Sequence, residues 1–193
     1  MESILFEDDE LRVIWKPRRS DCLVITFGNL NNLANGMDYF AKAPLEKLGY
    51  SSIGFMNKHS HWFPAASMQQ AIAAIATVLA QHPHKVIYGG SMGGYAAIKY
   101  SAALQATHVL AMCPQWSIDP DECTGWNPGW QEHFAPVMRG MGITHHDVAG
   151  QIYLFCDFHY ALDKRHADHI AQTNAFIQLI NVPFAKHHVT TVL

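Results

Sequence analysis

Lys85-Val86-Ile87-Tyr88-Gly89-Gly90-Ser91-Met92-Gly93-Gly94-Tyr95-Ala96-Ala97 is the stretch from which the rest of the chain can be read. Val86, Ile87 and Tyr88 are strand formers. Four glycines surround one serine, and residues 95–104 continue as an apolar, Ala-rich run. The segment reads as a short buried strand, a sharp turn and a helix. A serine at the tip of such a turn takes a strained backbone conformation that projects its hydroxyl into open space. Small neighbours are required because strand and helix pass close together, and the helix aims its first amides at the same space. Gly89-x-Ser91-x-Gly93 is thus spaced as a nucleophile elbow.

Outward from this turn, apolar strand-like runs alternate with helical segments. Residues 10–16 alternate loosely, as an edge strand does. Residues 22–27 form a continuous apolar run suited to a strand covered on both faces. Residues 36–48 read as a helix, with Pro44 either kinking it or beginning a second one, and Gly49 ends it. A strand is expected over 51–56. A helix over 67–81 opens on the capping box Ser67-x-x-Gln70 and carries Ile72, Ile75, Val78 and Leu79 on one face. Further strands are expected over 107–113, 151–156 and 180–184, with a helix over 163–179. The alternation predicts an α/β protein with a doubly wound, mostly parallel sheet and helices on both faces, in one domain over 1–193. Residues 114–150 break the rhythm with Pro114, Pro120, Pro128, Pro136, Trp116, Trp126 and Trp130. They read as a small, partly helical cap whose tryptophans and Met138 and Met141 face a pocket. The alternative is a peripheral excursion with its own apolar cluster.

Open α/β sheets bind ligands beyond the carboxyl ends of their strands. The Gly28-Asn29 turn lies at such an end, and so does the loop 57–64 with His59, His61, Trp62 and Phe63. His61, Trp62, Trp116 and Trp126 are therefore expected to line the substrate pocket. A serine near neutral pH is a poor nucleophile without a base, and the base needs an orienting acid. Asp157 directly follows the apolar run 151–156 and is the preferred acid. Asp163 is the alternative, although an N-cap role would also explain it. His187 follows the last strand and is the preferred base, with His188 the alternative.

With that turn and the order Ser, Asp, His, the sequence resembles the α/β-hydrolase superfamily. The likeness is sharp over residues 89–94 and looser at the acid and the histidine. It implies a compact fold with a cap inserted at 114–150. It also implies an oxyanion hole built from the N–H of Met92 and one from Gly28 or Asn29. The activity implied is hydrolysis of a small-molecule carboxylic ester through an acyl-enzyme on Ser91, without a cofactor or a metal. An acyltransferase using the same three residues is the second reading, and a non-catalytic accessory or binding module the third. One departure stands out: Lys186 occupies the position before the histidine where the family often has glycine.

Composition narrows the partners. Hydrophobic residues make up 49% and charged residues 15%, as in a well-buried globular chain. A net charge of −3 offers no attraction to nucleic acid or anionic lipid, and no apolar run is long enough to span a bilayer. The acidic first ten residues lack a signal-peptide layout, so a cytoplasmic location is expected, with a homo-oligomer allowed. Cys22, Cys113, Cys123 and Cys156 form no CxxC and read as free thiols. The 13 histidines include several close pairs, but none is spaced i, i+4 with a carboxylate as in zinc hydrolases.

Overall fold

The structure, a computed structural model, describes residues 1–192. Eight strands form one sheet: β1 (Ser3–Glu7), β2 (Leu11–Lys16), β3 (Cys22–Phe27), β4 (Ser51–Asn57), β5 (His84–Gly90), β6 (His108–Met112), β7 (Gln151–Cys156) and β8 (Ile177–Asn181). Their spatial order is β1-β2-β4-β3-β5-β6-β7-β8. β2 pairs antiparallel with β1 and β4, and every other pair is parallel. The helices are α1 (Lys42–Leu48), α2 (Ala65–Ala74), α3 (Ala76–Gln81), α4 (Met92–Lys99), α5 (Ala161–Ala171) and the short α6 (Val189–Val192). No helix among the described residues is long and apolar enough to cross a membrane.

Strand residues alternate between the two faces of the sheet. Leu23, Ile25 and Phe27 of β3 join Ile53, Phe55, Met68, Ile75 and Tyr95 in the main core. Val24, with Ile14 and Met56, packs instead with Leu45 of α1 and Tyr39. The sheet is therefore clad on both sides, as the apolar runs predict. From β3 the chain passes through α1 to β4 on one side, then through α2 and α3 to β5 on the other. The order of strands reverses between β3 and β5. That reversal opens a crevice at their carboxyl ends, where residues 28–29 and Ser91 stand.

Several boundaries differ from the sequence reading. β1 was not expected; it forms a hairpin with β2 across a turn in which Asp8 Oδ1 accepts the N–H groups of Glu10 and Leu11. The helix over 36–48 shrinks to Lys42–Leu48, with Pro44 in its first turn, where its missing N–H has no helical partner to lose. The helix over 67–81 begins earlier, at Ala65, without a side-chain cap, so the Ser67-x-x-Gln70 box does not form. It breaks at Ile75, which caps both α2 and α3. α5 ends at Ala171, and the last strand is Ile177–Asn181, which leaves Pro183 outside it. Residues 114–150 contain no α-helix, only 3₁₀ turns at Gln131–His133 and Pro136–Met138.

Candidate active site

Ser91 sits between β5 and α4 with φ 53° and ψ −121°, outside the regions L residues favour. Its N–H donates to Met112 O at 2.8 Å, and its carbonyl accepts Tyr95 N–H at 2.9 Å. The turn is therefore pinned to β6 on one side and to its own helix on the other. The glycines are there for close approach. A Cβ on Gly89 would lie 2.3 Å from Gly93 O, and one on Gly93 would lie 2.6 Å from Phe27 O.

His187 comes from the loop after β8. Its Nε2 is 2.9 Å from Ser91 Oγ, and its Nδ1 is 2.9 and 2.8 Å from the two carboxylate oxygens of Asp163. Nδ1–H donates to the carboxylate, which leaves Nε2 as acceptor for the serine proton. The Asp163 side chain is wholly buried, while that of His187 keeps 23% exposure toward the cleft. His188 is exposed and lines the same cleft without touching Ser91 Oγ.

The acid beside His187 is thus Asp163 and not Asp157. α5 begins at Ala161, with Tyr160 as its N-cap, so Asp163 is the third helical residue and not the cap. That position aims it inward, at 1% exposure. Asp157, at the end of β7, is taken by the backbone: its oxygens accept His159 N–H and Lys186 N–H, both at 2.9 Å. Those amides, Lys186 first, hold its pKa below the ordinary carboxylate value. Asp157 anchors the loop that carries His187. In that loop Lys186 has φ 48°, the left-handed conformation a glycine adopts without strain.

Of the oxyanion donors expected, Met92 is the first residue of α4, so its N–H has no intrahelical acceptor. Gly28 N–H is not free, because it donates to Phe55 O at 2.9 Å and extends the β3–β4 ladder by one bond. Asn29 N–H has no acceptor among the described residues, and Asn29 lines the cleft. Of the two expected donors, Asn29 alone keeps an N–H available at the cleft.

The cleft at Ser91 is about 440 Å³ and is lined by Asn29, Leu30, Met112, Trp130, His188 and Thr190, among others. None of the four expected pocket residues lines it. His61 Nε2 lies 2.7 Å from Glu10 Oε2. Burial, which outweighs the pull of Glu10, pushes its pKa down. Trp62 is buried and walls a separate cavity of about 300 Å³ with Tyr95, Met138 and Met141, so both methionines line that cavity and not the cleft at Ser91. Trp116 and Trp126 both stack against His169 of α5, with Arg165 over Trp126. The cleft tryptophan is Trp130, whose ring centre lies 4.7 Å from that of His187.

Two neighbours of Ser91 carried no signal in the sequence. Gln115 is fully buried, with Nε2 3.4 Å from Ser91 Oγ and 3.3 Å from Cys113 O, and its Oε1 accepts Trp62 Nε1–H at 3.1 Å. Cys113 Sγ lies with Asp163 and His187 in a set of donor atoms all within 4.8 Å of one another, the right size for a metal ion. Two of the three are tied to each other, and burial, aided by the nearby Asp163, pushes the Cys113 thiol well up and keeps it protonated. The set therefore reads as a hydrogen-bonded histidine and carboxylate with a packed thiol.

By sequence, the chain matches no family model and no curated protein. By structure, it is similar to the capsule O-acetyltransferase of Neisseria meningitidis serogroup A, at 10% identity and TM-score 0.66 over 97% of this chain and 89% of that one. It is also similar to the esterase Pf2001 of Pyrococcus furiosus, at 15% identity and TM-score 0.60 over 100% and 84%. A third similar structure is XC6422 of Xanthomonas campestris, an α/β serine hydrolase without a lid, at 17% identity and TM-score 0.55 over 94% and 82%. The chain has the α/β-hydrolase fold.

Proposed function

We propose that the protein is a serine hydrolase that cleaves carboxylic esters through an acyl-enzyme on Ser91. The observation that carries this reading is the unbroken line Asp163–His187–Ser91, with contacts of 2.8 and 2.9 Å. His187 Nε2 takes the Ser91 proton as Oγ bonds to the ester carbonyl carbon. Asp163 holds the Nδ1–H and stabilises the imidazolium. The N–H groups of Met92 and Asn29 receive the developing oxyanion, each such donor being worth about 10²–10³ in rate. His187 then returns the proton to the departing alkoxide oxygen as the C–O bond breaks. A water, activated by the same nitrogen, releases the acid and restores Ser91. The intact relay favours this reading over an accessory module without chemistry.

Acyl transfer to an alcohol is the second reading. It is favoured by the likeness to the capsule O-acetyltransferase and by the hydrogen-bonding rim of Asn31, His188, Thr190 and Thr191 on the cleft. In that case the acceptor hydroxyl replaces water in the second half-reaction. The four free cysteines suit a reducing, cytoplasmic setting. The test is a fluorescent fluorophosphonate with the adduct located by mass spectrometry, followed by an ester panel with and without sugar acceptors. Labelling at Ser91 that disappears in His187→Ala supports the serine mechanism, and absence of labelling in the folded protein overturns it. Ester turnover raised by an added acceptor selects transfer over hydrolysis.

A further inference from the structure

We infer that Gln115 is a catalytic donor to the nucleophile oxygen itself and that Trp62 is the residue that positions it. This rests on the serine mechanism above. Ser91 Oγ has its hydrogen directed at His187 Nε2, 2.9 Å away, which leaves its lone pairs to accept a hydrogen bond. Gln115 Nε2 approaches from a different strand end at 3.4 Å. At that length the bond is weak in the resting state. As the proton leaves for His187, charge builds on Oγ, and a hydrogen bond to a charged oxygen is shorter and stronger. The interaction therefore favours the transition state over the ground state, which is what raises a rate.

The amide cannot serve equally well turned over. Trp62 Nε1–H is a donor with no acceptor capacity, so it requires Oε1 on its side, at 3.1 Å. Cys113 O is an acceptor and requires an N–H, which Nε2 supplies at 3.3 Å. A flipped amide would set donor against donor at Trp62 and acceptor against acceptor at Cys113. Both Gln115 and Trp62 are buried, at 0% and 1% exposure, so water cannot substitute. A fully buried carboxamide whose last N–H is spent on the reacting oxygen is placed for chemistry and not only for packing.

The experiment measures the second-order rate of fluorophosphonate labelling against pH, with melting temperatures alongside. The proteins are wild type, Gln115→Met, Gln115→Glu, Trp62→Phe and the double variant Trp62→Phe/Gln115→Met. Methionine keeps the volume of Gln115 and removes the donor. Glutamate keeps the acceptor for Trp62 and offers the serine a charge of the wrong sign. Labelling is expected to slow about tenfold or more in Gln115→Met. In Gln115→Glu it is expected to slow further, with the acid limb moved to higher pH because a carboxylate near His187 favours the imidazolium. Trp62→Phe is expected to slow labelling a few-fold and to add nothing in the Gln115→Met background. Wild-type labelling with an unchanged rate in Gln115→Met overturns this inference alone. So do independent, multiplying effects of Trp62→Phe and Gln115→Met. Rates that fall only in step with melting temperature, with an unmoved profile in Gln115→Glu, assign Gln115 to packing. No labelling of the wild type overturns both the inference and the serine mechanism beneath it.

Discussion

Mild acid should loosen the segment 114–150 through one buried histidine, His166. Its ring is fully buried and spans two parts of that segment: Nδ1 accepts Trp116 N–H at 3.0 Å and Nε2–H donates to Pro128 O at 2.8 Å. Protonating Nδ1 would turn the acceptor for Trp116 into a second donor. Burial, the largest cause, pushes the His166 pKa from 6.5 down to about 4. The Pro128 hydrogen bond and Asp163 pull it up, while His169 and His187 push it further down. A histidine whose folded pKa is depressed binds its proton more readily in the unfolded chain. Its contribution is therefore complete well above the ordinary value and is lost as pH falls from 6.5 toward about 4. At about 1.4 kcal/mol per unit, the full loss is about 3 kcal/mol, of which about 2 kcal/mol is gone by about pH 5. For a chain of this size that is roughly 4–8 °C of melting temperature.

The chain has 13 histidines, so the readout is a difference. His166→Asn keeps an acceptor near the Nδ1 position and removes the titration. It should be less stable than wild type at neutral pH, by about 1–3 kcal/mol for the lost buried hydrogen bond. Between about pH 7.5 and 5 it should then lose about 2 kcal/mol less than wild type does. Urea unfolding followed by tryptophan fluorescence at the two pH values gives both numbers, since Trp126 and Trp130 both lie against this ring. Equal losses in wild type and variant would refute the reasoning, because they would mean that His166 does not carry the proton-linked term.

The two acids separate cleanly by substitution. Asp163→Asn should cut the labelling rate of Ser91 by about 10³–10⁴, as expected when the orienting acid is lost. Asp157→Asn should cost less than about 10-fold in rate and show instead as a lower melting temperature, because it holds the loop at Lys186 N–H and not the imidazole. At the elbow, Gly93→Ala should abolish accumulation of folded protein, since its Cβ would meet Phe27 O at 2.6 Å and Gly28 O at 2.8 Å, both backbone atoms. Gly125→Ala, at φ 83° with open space around it, should cost only about 1 kcal/mol by thermal melting.

What the sequence disclosed tracks how locally each feature is determined. Ser91 was legible because the residues that force its conformation lie within a few positions of it: the β-branched run before, the glycines around and the small residues after. The sheet was legible for the same reason, since apolar runs as short as 22–27 and 151–156 have few other ways to be buried. The acid was not. Choosing between Asp157 and Asp163 turns on where α5 begins, and a rule that prefers Asp at the N-cap placed that start two residues late. Two residues along a helix is about half a turn, enough to move a side chain from the solvent rim to the inner face. The same weakness put the last strand too late. The helical spacing of Ala167, Ile170, Ala171 and Asn174 runs on to Ile177 by coincidence, whereas Thr173-Asn174 was the available turn signal. Within 114–150 there is no period to read at all. Which of Trp116, Trp126 and Trp130 faces the cleft is decided by α5, whose His169 captures the first two and leaves the third against His187. Gln115 lies furthest from any sequence rule. Its meaning comes wholly from partners 53 and 24 positions away, and a buried amide acquires a role only from the groups that share its burial.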